Sequence, residues 1–221
     1  MDLCLVGSEM CIRDRLFLPG EMRLESGQSY KSPILYGAST DKGLSALSSA
    51  FHSYIRANLT DKRVASKIRP VHFNTWEAVY FDLSLERLCM LAGRAADVGV
   101  ERFVLDDGWF KNRKSDSAGL GDWTVDQSAF PDGLTPLINH VHDNNMEFGL
   151  WVEPEMVNPD SDLYRAHPDW VLSTHPAPLL LSRKQLVLDL TRIEVQTYLF
   201  ERLDTLLCEY PISSVSYTHL T

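Results

Sequence analysis

The stretch ERFVLDDGWF, residues 101–110, is an apolar run that ends abruptly in two adjacent aspartates, a glycine and a tryptophan. The segment RFVLDD predicts a β-strand that ends at Asp106 and Asp107. Because consecutive strand residues point to opposite sides, these two carboxylates are poorly placed to face one bond as the acid and base of a hydrolase. They are better placed to accept two neighbouring hydroxyl groups where the backbone turns.

The same strand-and-helix unit recurs on both sides of this stretch. Further strands are predicted in RPVHFNTW, EFGLWVEP, QLVLDL and PISSV, and helices in LSLERLCMLAGRAADVGV, DGLTPLINHVHDNN, DLYRAHP and RIEVQTYLFERLDTLLCEY. Ser84 is the expected N-cap of the first helix, with Gly99 just past its end, and Asp132 is the expected cap of the second. Strands that alternate with helices at this spacing predict parallel βαβ units.

The residues at the end of each predicted strand indicate the fold class. Polar or aromatic residues close the predicted strands, namely Asn74, Trp76, Asp106, Asp107, Trp151, Glu153 and Asp189. In a (β/α)₈ barrel the carboxyl ends of the strands form the active-site face. A doubly wound sheet usually carries a Gly-rich phosphate turn after its first strand, and FNTWEA is not one. We therefore predict an α/β fold, a partial TIM barrel of about five βα units.

Composition limits the partners. The 221 residues are 44% hydrophobic and 23% charged, as in soluble globular proteins, and the net charge of −9 argues against a nucleic-acid or membrane partner. No apolar stretch approaches a membrane span, and the start MDLCLVGSEM lacks the basic region of a signal peptide. Four cysteines without a CxxC pair fit a cytoplasmic setting, and Cys89 and Cys208 lie in helical patterns where a small buried hydrophobic residue is expected. The histidines do not cluster, so no metal or cofactor is predicted.

Carboxylates and aromatic rings on one rim are typical of a carbohydrate site. Sugar hydroxyls donate to carboxylates, and the C–H faces of a sugar pack on Trp rings. Trp76 and Trp151 at the barrel mouth are better explained by a ligand than by the core alone. For Asp106 and Asp107 the alternative is the capping of a loop or helix. The neighbouring Trp109 and the other rim aromatics favour binding.

Other strand-end residues leave alternatives open. Glu153 and Glu155 in WVEPEM are candidates for catalysis, but salt bridges across the rim are the favoured interpretation. Asp189 in LVLDL is a candidate for a buried hydrogen-bond acceptor. Arg183 in LSRKQ either grips sugar oxygens, orients a carboxylate or is simply solvated.

Five motifs resemble the bacterial α-galactosidases of glycoside hydrolase family 36, namely NTWEAVYFD, FVLDDGWF, GDWTVDQSAFPDGL, FGLWVEPEMVNPDSDLYRAHPDWVL and LSRKQLVLDLTR. The resemblance is nearly continuous from about Pro70 to Ile212 and looser from Leu16 onward. It implies retaining hydrolysis of terminal α-D-galactosyl residues, as in melibiose and raffinose, by a homo-oligomeric enzyme. The implied architecture is an N-terminal β-sandwich, a catalytic barrel and a C-terminal β-domain.

The resemblance also assigns roles to residues. It implies that Asp106 and Asp107 accept galactose hydroxyls, that Trp76 and Trp151 line the pocket, and that Arg183 binds near the reacting centre. The aspartate pair would then bind the sugar without cleaving it.

The chain departs from the family pattern near its end. The family's Lys-Trp-Asp-Met-Asn-Arg motif would place its lysine at Ser216 and its nucleophilic aspartate at Thr218. A threonine hydroxyl without an activating base cannot replace a nucleophilic carboxylate. The acid/base carboxylate would fall beyond Thr221, so the chain as given is expected to be inactive.

Both ends look foreign to the family, and the segments are predicted accordingly. Residues 1–15 are a non-native leader, 16–60 the end of a β-sandwich domain with a linker helix, 61–213 the N-terminal part of the barrel, and 214–221 a non-native tail. Strands are expected within residues 16–39. Two other functions remain open, a non-catalytic galactoside-binding module and a galactosyltransferase that makes raffinose-family sugars.

Overall fold

The computed structural model describes residues 23–31, 34, 36–62, 67–173, 179, 181 and 183–217. These residues form two compact units, one extending to Arg69 and the other beginning at Pro70. The first unit carries α1 (Leu44–Asn58), the helix predicted there. The predicted leader and Thr218 lie outside the described residues. None of the helices in the described ranges is long and apolar enough to cross a membrane.

The second unit is an α/β structure built on a parallel sheet. Its elements in chain order are β1 (His72–Asn74), α2 (Trp76–Val79), α3 (Leu85–Asp97), β2 (Arg102–Leu105), α4 (Thr135–Asp143), β3 (Glu147–Val152), β4 (Met156–Val157), α5 (Asp162–Ala166), a 3₁₀ turn (Pro168–Trp170), β5 (Leu186–Val187), α6 (Ile193–Glu209) and β6 (Ser214–Tyr217). The sheet order is β1-β2-β3-β6 and every pairing is parallel. Neighbours follow chain order, as in a barrel, whereas a doubly wound sheet reverses direction. The predicted fold class is confirmed.

Apolar burial explains why the strands and helices pack as they do. Every residue of Phe103–Leu105 in β2 and of Phe148–Val152 in β3 is buried, the continuous pattern of a parallel sheet covered on both faces. Helix α3 buries Leu88, Ala92 and Ala95, which share one face at helical spacing. The predicted Ser84 N-cap is confirmed, since its Oγ accepts the backbone N–H of Arg87 at 3.3 Å.

The main correction to the predicted fold concerns the sheet to which the strand QLVLDL belongs. Its residues Leu186–Val187 form β5, which pairs antiparallel with β4 and lies outside the parallel sheet. Leu186 and Leu188 are buried and Val187 is exposed, an alternation that suits a strand with one solvated face rather than an inner barrel strand. The described sheet therefore has four parallel strands, and the β4–β5 pair is an excursion between β3 and α6.

Three smaller expectations are not met in the described residues. No strand forms among the described residues between 23 and 43, where every residue is exposed and finds no ladder partner. Asp132 does not cap α4, which begins at Thr135 without a side-chain cap and with Pro136 in its first turn. Cys208 is exposed rather than buried, because it lies on the outer side of α6.

Candidate functional site

A cavity of about 510 Å³ opens at the carboxyl ends of β1, β2, β3 and β6. Its volume lies in the range of about 300–1,000 Å³ that is typical of small-molecule sites. The lining consists of Asn74, Trp76, Glu77, Asp106, Asp107, Trp151, Arg183 and Ser216. All five residues that were predicted to bind substrate therefore come together in one cavity.

Asp106 is held at the end of β2 by groups from β1. Its carboxylate accepts a short hydrogen bond from the Asn74 side-chain amide, and its Oδ1 accepts the backbone N–H of Asp107 at 2.8 Å. Its own N–H donates to Thr75 Oγ1 at 3.0 Å. Burial raises the pKa of Asp106, and the bonds from Asn74 and Asp107 N–H partly offset that rise. The carboxylate is thus fixed in orientation, and it remains partly exposed to the cavity.

Asp107 is anchored by a buried arginine that the sequence analysis did not single out. Arg113 Nε donates to Asp107 Oδ1 at 2.8 Å and Arg113 Nη2 donates to Oδ2 at 2.7 Å, a two-bond fork. The side chains are only 2% and 9% exposed. Because both Asp107 oxygens already accept from Arg113, this carboxylate is poorly suited to attack a sugar. Each oxygen keeps a second lone pair with which to accept a hydroxyl.

The surroundings of Arg113 account for its burial. Its Nη1 donates to the Ala118 carbonyl at 3.0 Å and to Asn158 Oδ1 at 2.9 Å, and the guanidinium lies over the Phe81 and Phe110 rings. The loop closes at Gly119, where φ is +79° and an added Cβ would lie 2.9 Å from the backbone nitrogen of Arg113. Only glycine fits at that position.

Asn158 links this arginine to the turn that carries Arg183. Its Nδ2 donates to the Lys184 carbonyl at 2.9 Å, while its Oδ1 also accepts the N–H of Leu120 at 3.0 Å. Arg183 and Lys184 have φ values of +52° and +61°, a conformation that costs non-glycine residues on the order of 1–2 kcal/mol each. Such strain persists only where the surroundings hold it, and it is common at functional sites. Asn158 supplies part of that restraint.

The tryptophans divide into cavity and core. Trp76 is half-buried, lines the cavity and packs edge-on against Tyr80 and Phe81 at 5.1 Å between ring centroids. Trp151 is 4% exposed and presents its remaining surface to the same cavity. Trp109 is fully buried, and its Nε1 donates to the Trp151 carbonyl at 2.8 Å. Trp109 therefore packs in the core beside Trp151 and does not line the cavity.

Glu153 and Glu155 lie behind the cavity. Glu153 is fully buried, and neither of its carboxylate oxygens has a hydrogen-bond partner in the described part of the chain. It forms an ion pair with Arg183, whose Nη1 lies 4.0 Å from Glu153 Oε1. Burial raises the pKa of Tyr217 on β6, and the bond of this hydroxyl to Glu155 raises it further. Among the described residues, the predicted salt bridge is thus present for Glu153 but not for Glu155.

Other candidates stand apart from the cavity. Asp189 is half-buried, and its Oδ1 accepts the N–H and hydroxyl of Thr191 at 3.0 and 2.6 Å, so it stabilises the turn before α6. Among the residues that the structure describes, no group of three His, Cys, Asp or Glu side chains could hold a metal ion. Arg113 and Asn158 lie in the polar loop segments KNRKS and VNPDS, where nothing in the sequence distinguishes a buried residue from a solvated one.

The fold and the cavity define a class of protein, the (β/α)-barrel type, in which the site lies at the carboxyl edge of a parallel sheet. The polar and aromatic lining is of the kind that fits a sugar. Within that class, the family model described as melibiase matches residues 29–220, and the chain belongs to the melibiase family.

Individual relatives agree with this assignment. The chain is 45% identical over 204 residues to the α-galactosidase of Escherichia coli, covering 92% of this chain and 29% of the relative. Among solved structures it matches the GH36 α-galactosidase AgaA of Geobacillus stearothermophilus in complex with stachyose, with a TM-score of 0.75 and 42% identity over 82% of this chain and 26% of that one. A complex of AgaA with raffinose matches with a TM-score of 0.76 at 42% identity, again over 82% and 26%. The chain thus spans less than a third of the length of these relatives.

Proposed function

We propose that this chain carries the galactose-binding part of an α-galactosidase site, which in the complete protein hydrolyses terminal α-D-galactosyl residues with retention. One observation carries the proposal: Trp76, Asp106, Asp107, Trp151 and Arg183 line a single cavity at the carboxyl edge of the sheet. The relatives named above are α-galactosidases, and two of the matched structures hold stachyose and raffinose. The sugars bound in those two structures support the proposal that galactosides such as raffinose are substrates.

The geometry suits the recognition of neighbouring hydroxyl groups. Asp106 and Asp107 present acceptors from adjacent positions, and their orientation is restrained by Asn74 and by Arg113. Charge-assisted hydrogen bonds to a carboxylate are roughly twice as strong as neutral ones. Trp76 supplies a ring face for the apolar side of the sugar. These groups bind and orient the galactosyl unit.

The bond-breaking groups are proposed to lie elsewhere. Of the three carboxylates that line the cavity, Asp107 is committed to Arg113, Asp106 is bonded to Asn74, and Glu77 accepts the Tyr80 hydroxyl at 2.5 Å. Retaining hydrolysis needs a nucleophile and an acid/base carboxyl about 5 Å apart. The family pattern puts the nucleophile at position 218, where the sequence has Thr218. We therefore propose that the 221-residue chain alone binds galactosides without hydrolysing them.

The test is carried out on the protein encoded by the complete gene. Hydrolysis of p-nitrophenyl α-galactoside and of the α-glucoside, which differs in the C4 hydroxyl, is compared for the wild type and for Asp106→Ala. We expect a preference for the galactoside of roughly 100-fold or more, since a site built to bond a hydroxyl rejects a substrate that misplaces it. Asp106→Ala should abolish measurable turnover. Asp143→Ala, at an exposed aspartate at the end of α4, is the matched control and should retain full activity.

Raffinose separates the proposal from its alternatives. Release of free galactose supports a hydrolase, whereas transfer of galactose to an added sugar acceptor indicates a transferase. Binding without turnover by the complete protein indicates a non-catalytic module. The same activity in Asp106→Ala as in the wild type would overturn the assignment of this cavity.

The setting of the protein is also a proposal. We infer a cytoplasmic location, supported by Cys89 and Cys208, which are both free thiols as expected in a reducing compartment. A homo-oligomer is inferred from the family resemblance, and light scattering on the purified complete protein tests it. The segment boundaries predicted at residues 15, 60 and 213 likewise remain predictions, and sequencing the gene across both ends tests the outer two.

A further inference from the structure

A buried carboxyl group without a hydrogen-bond partner stands directly behind the cavity. Glu153 follows β3, is fully buried, and neither Oε1 nor Oε2 accepts a hydrogen bond from the described residues. Burying an ionised carboxylate without compensation is very costly. We therefore expect this buried carboxylate to have a compensating partner, and a neighbouring cation is the simplest one.

Arg183 is the cation in position to do this. Its Nη1 lies 4.0 Å from Glu153 Oε1, while the side chain is 58% exposed and lines the cavity. Arg113 also acts on Glu153 electrostatically, but four of its five N–H donors bond Asp107, the Ala118 carbonyl and Asn158, and none bonds Glu153. Arg183 thus reaches from the buried carboxylate to the opening where a ligand would bind.

The backbone of Arg183 is already fixed, which leaves its side chain as the variable part. Asn158 Nδ2 donates to the Lys184 carbonyl at 2.9 Å, and Lys184 Nζ lies 3.0 Å from Asp116 Oδ1. The bond from Asn158 acts directly on the backbone of the strained turn at residues 183–184, whereas the Lys184–Asp116 pair is exposed and contributes little. A long, exposed guanidinium side chain on a fixed backbone still needs an anchor to point in one direction.

We propose that Glu153 is a positioning residue for the site: its buried carboxylate is the counter-ion that aims the Arg183 guanidinium into the cavity. The inference rests on the proposed function, because that function gives Arg183 its ligand. When Glu153 is ionised, Arg183 is held in place to grip the substrate. When Glu153 is protonated, the electrostatic restraint is lost and Arg183 turns toward solvent.

The electrostatic surroundings of Glu153 place the change in its protonation state near neutral pH. Among the described residues, the ionisable groups that act on Glu153 are Arg183, Glu155, Asp107, Arg113 and Tyr217. Burial raises the pKa of Glu153 from 4.5 to about 7. The nearby carboxylates act in the same direction, and the two arginines oppose them. Arg183 would therefore be restrained at pH 8 and largely released at pH 6.

The first experiment measures KM and kcat for p-nitrophenyl α-galactoside from pH 5.5 to 8.5 in the complete gene product. At pH 8 Glu153→Gln should raise KM about tenfold, and at pH 6 the two proteins should agree within about twofold, because only the ionised fraction binds well. The kcat ratio should stay within about threefold. Glu147→Gln is the matched control, since Glu147 pairs with Arg102 at the opposite end of β3. It should keep the wild-type pH profile.

A second experiment does not depend on activity. Arg183→Met is introduced into the wild type and into Glu153→Gln, and unfolding is followed at pH 8. We expect Arg183→Met to raise the unfolding equilibrium constant about tenfold in the wild type and less than twofold in the glutamine background. Equal effects in both backgrounds would overturn the pairing. An inactive protein with this coupling would refute the proposed function alone, and an active protein whose KM profile is unchanged by Glu153→Gln would refute the positioning role.

Discussion

Replacement of Arg113 by methionine is expected to destabilise the second unit by about 3–5 kcal/mol, the cost of removing one partner of a buried ion pair. The structure supports a value in this range, because the Arg113 and Asp107 side chains are only 2% and 9% exposed. The change deletes both forked bonds to Asp107, at 2.8 and 2.7 Å, and leaves that carboxylate buried. Asn158 Oδ1 loses one bond but keeps the N–H of Leu120, so its loss adds little.

Urea unfolding of the 221-residue chain, followed by tryptophan fluorescence, measures this cost. Trp109 and Trp151 are buried in the same core, so their emission reports on this region. Arg102→Met is the matched control, since its pair with Glu147 is partly exposed and should be worth about 1 kcal/mol or less. Asp107→Asn combined with Arg113→Met should cost less than Arg113→Met alone, because no charge is then left unpaired. A loss below about 1 kcal/mol for Arg113→Met would refute the buried pair.

In the complete protein, Asp107→Asn should remove on the order of 2–4 kcal/mol of transition-state stabilisation, seen as lower kcat/KM for an α-galactoside, and it should also lower thermal stability because Arg113 loses its counter-charge. Near-normal kcat/KM would contradict the binding role. Asn158→Ala should raise KM and lower stability together, because it releases the Arg183–Lys184 turn and one Arg113 bond; a change in stability without any change in KM would argue against this link. The pKa of Glu153 is raised to about 7, so the folded state favours the protonated group and wild-type stability should fall as pH rises from about 4.5 to 7. That fall amounts to about 3 kcal/mol and should be absent in Glu153→Gln, as urea titrations at pH 5 and pH 8 would measure.

Local sequence patterns were sufficient to predict the class of the fold and the position of the site. Strand and helix periodicities are local properties, so RFVLDD and EFGLWVEP were recognisable as strands, and Ser84 as a cap, without any tertiary information. Parallel strands bring their carboxyl ends to one edge, which is why Asp106, Asp107 and Trp151 were expected together. The family motifs then indicated which sugar such a rim would hold.

The pairing of β5 and the electrostatics of the site could not be predicted from sequence, because they depend on how the chain packs. The segment QLVLDL has the local character of a strand, but its partner is β4, and the choice of partner depends on contacts far apart in sequence. Arg113 and Asn158 are polar residues in polar loops, and their burial results from the loop that closes at Gly119. The raised pKa of Glu153 likewise arises mainly from burial, with Glu155 and Asp107 adding to the rise and Arg183 and Arg113 opposing it. Desolvation and charge pairing are properties of the packed chain, so no local pattern encodes them.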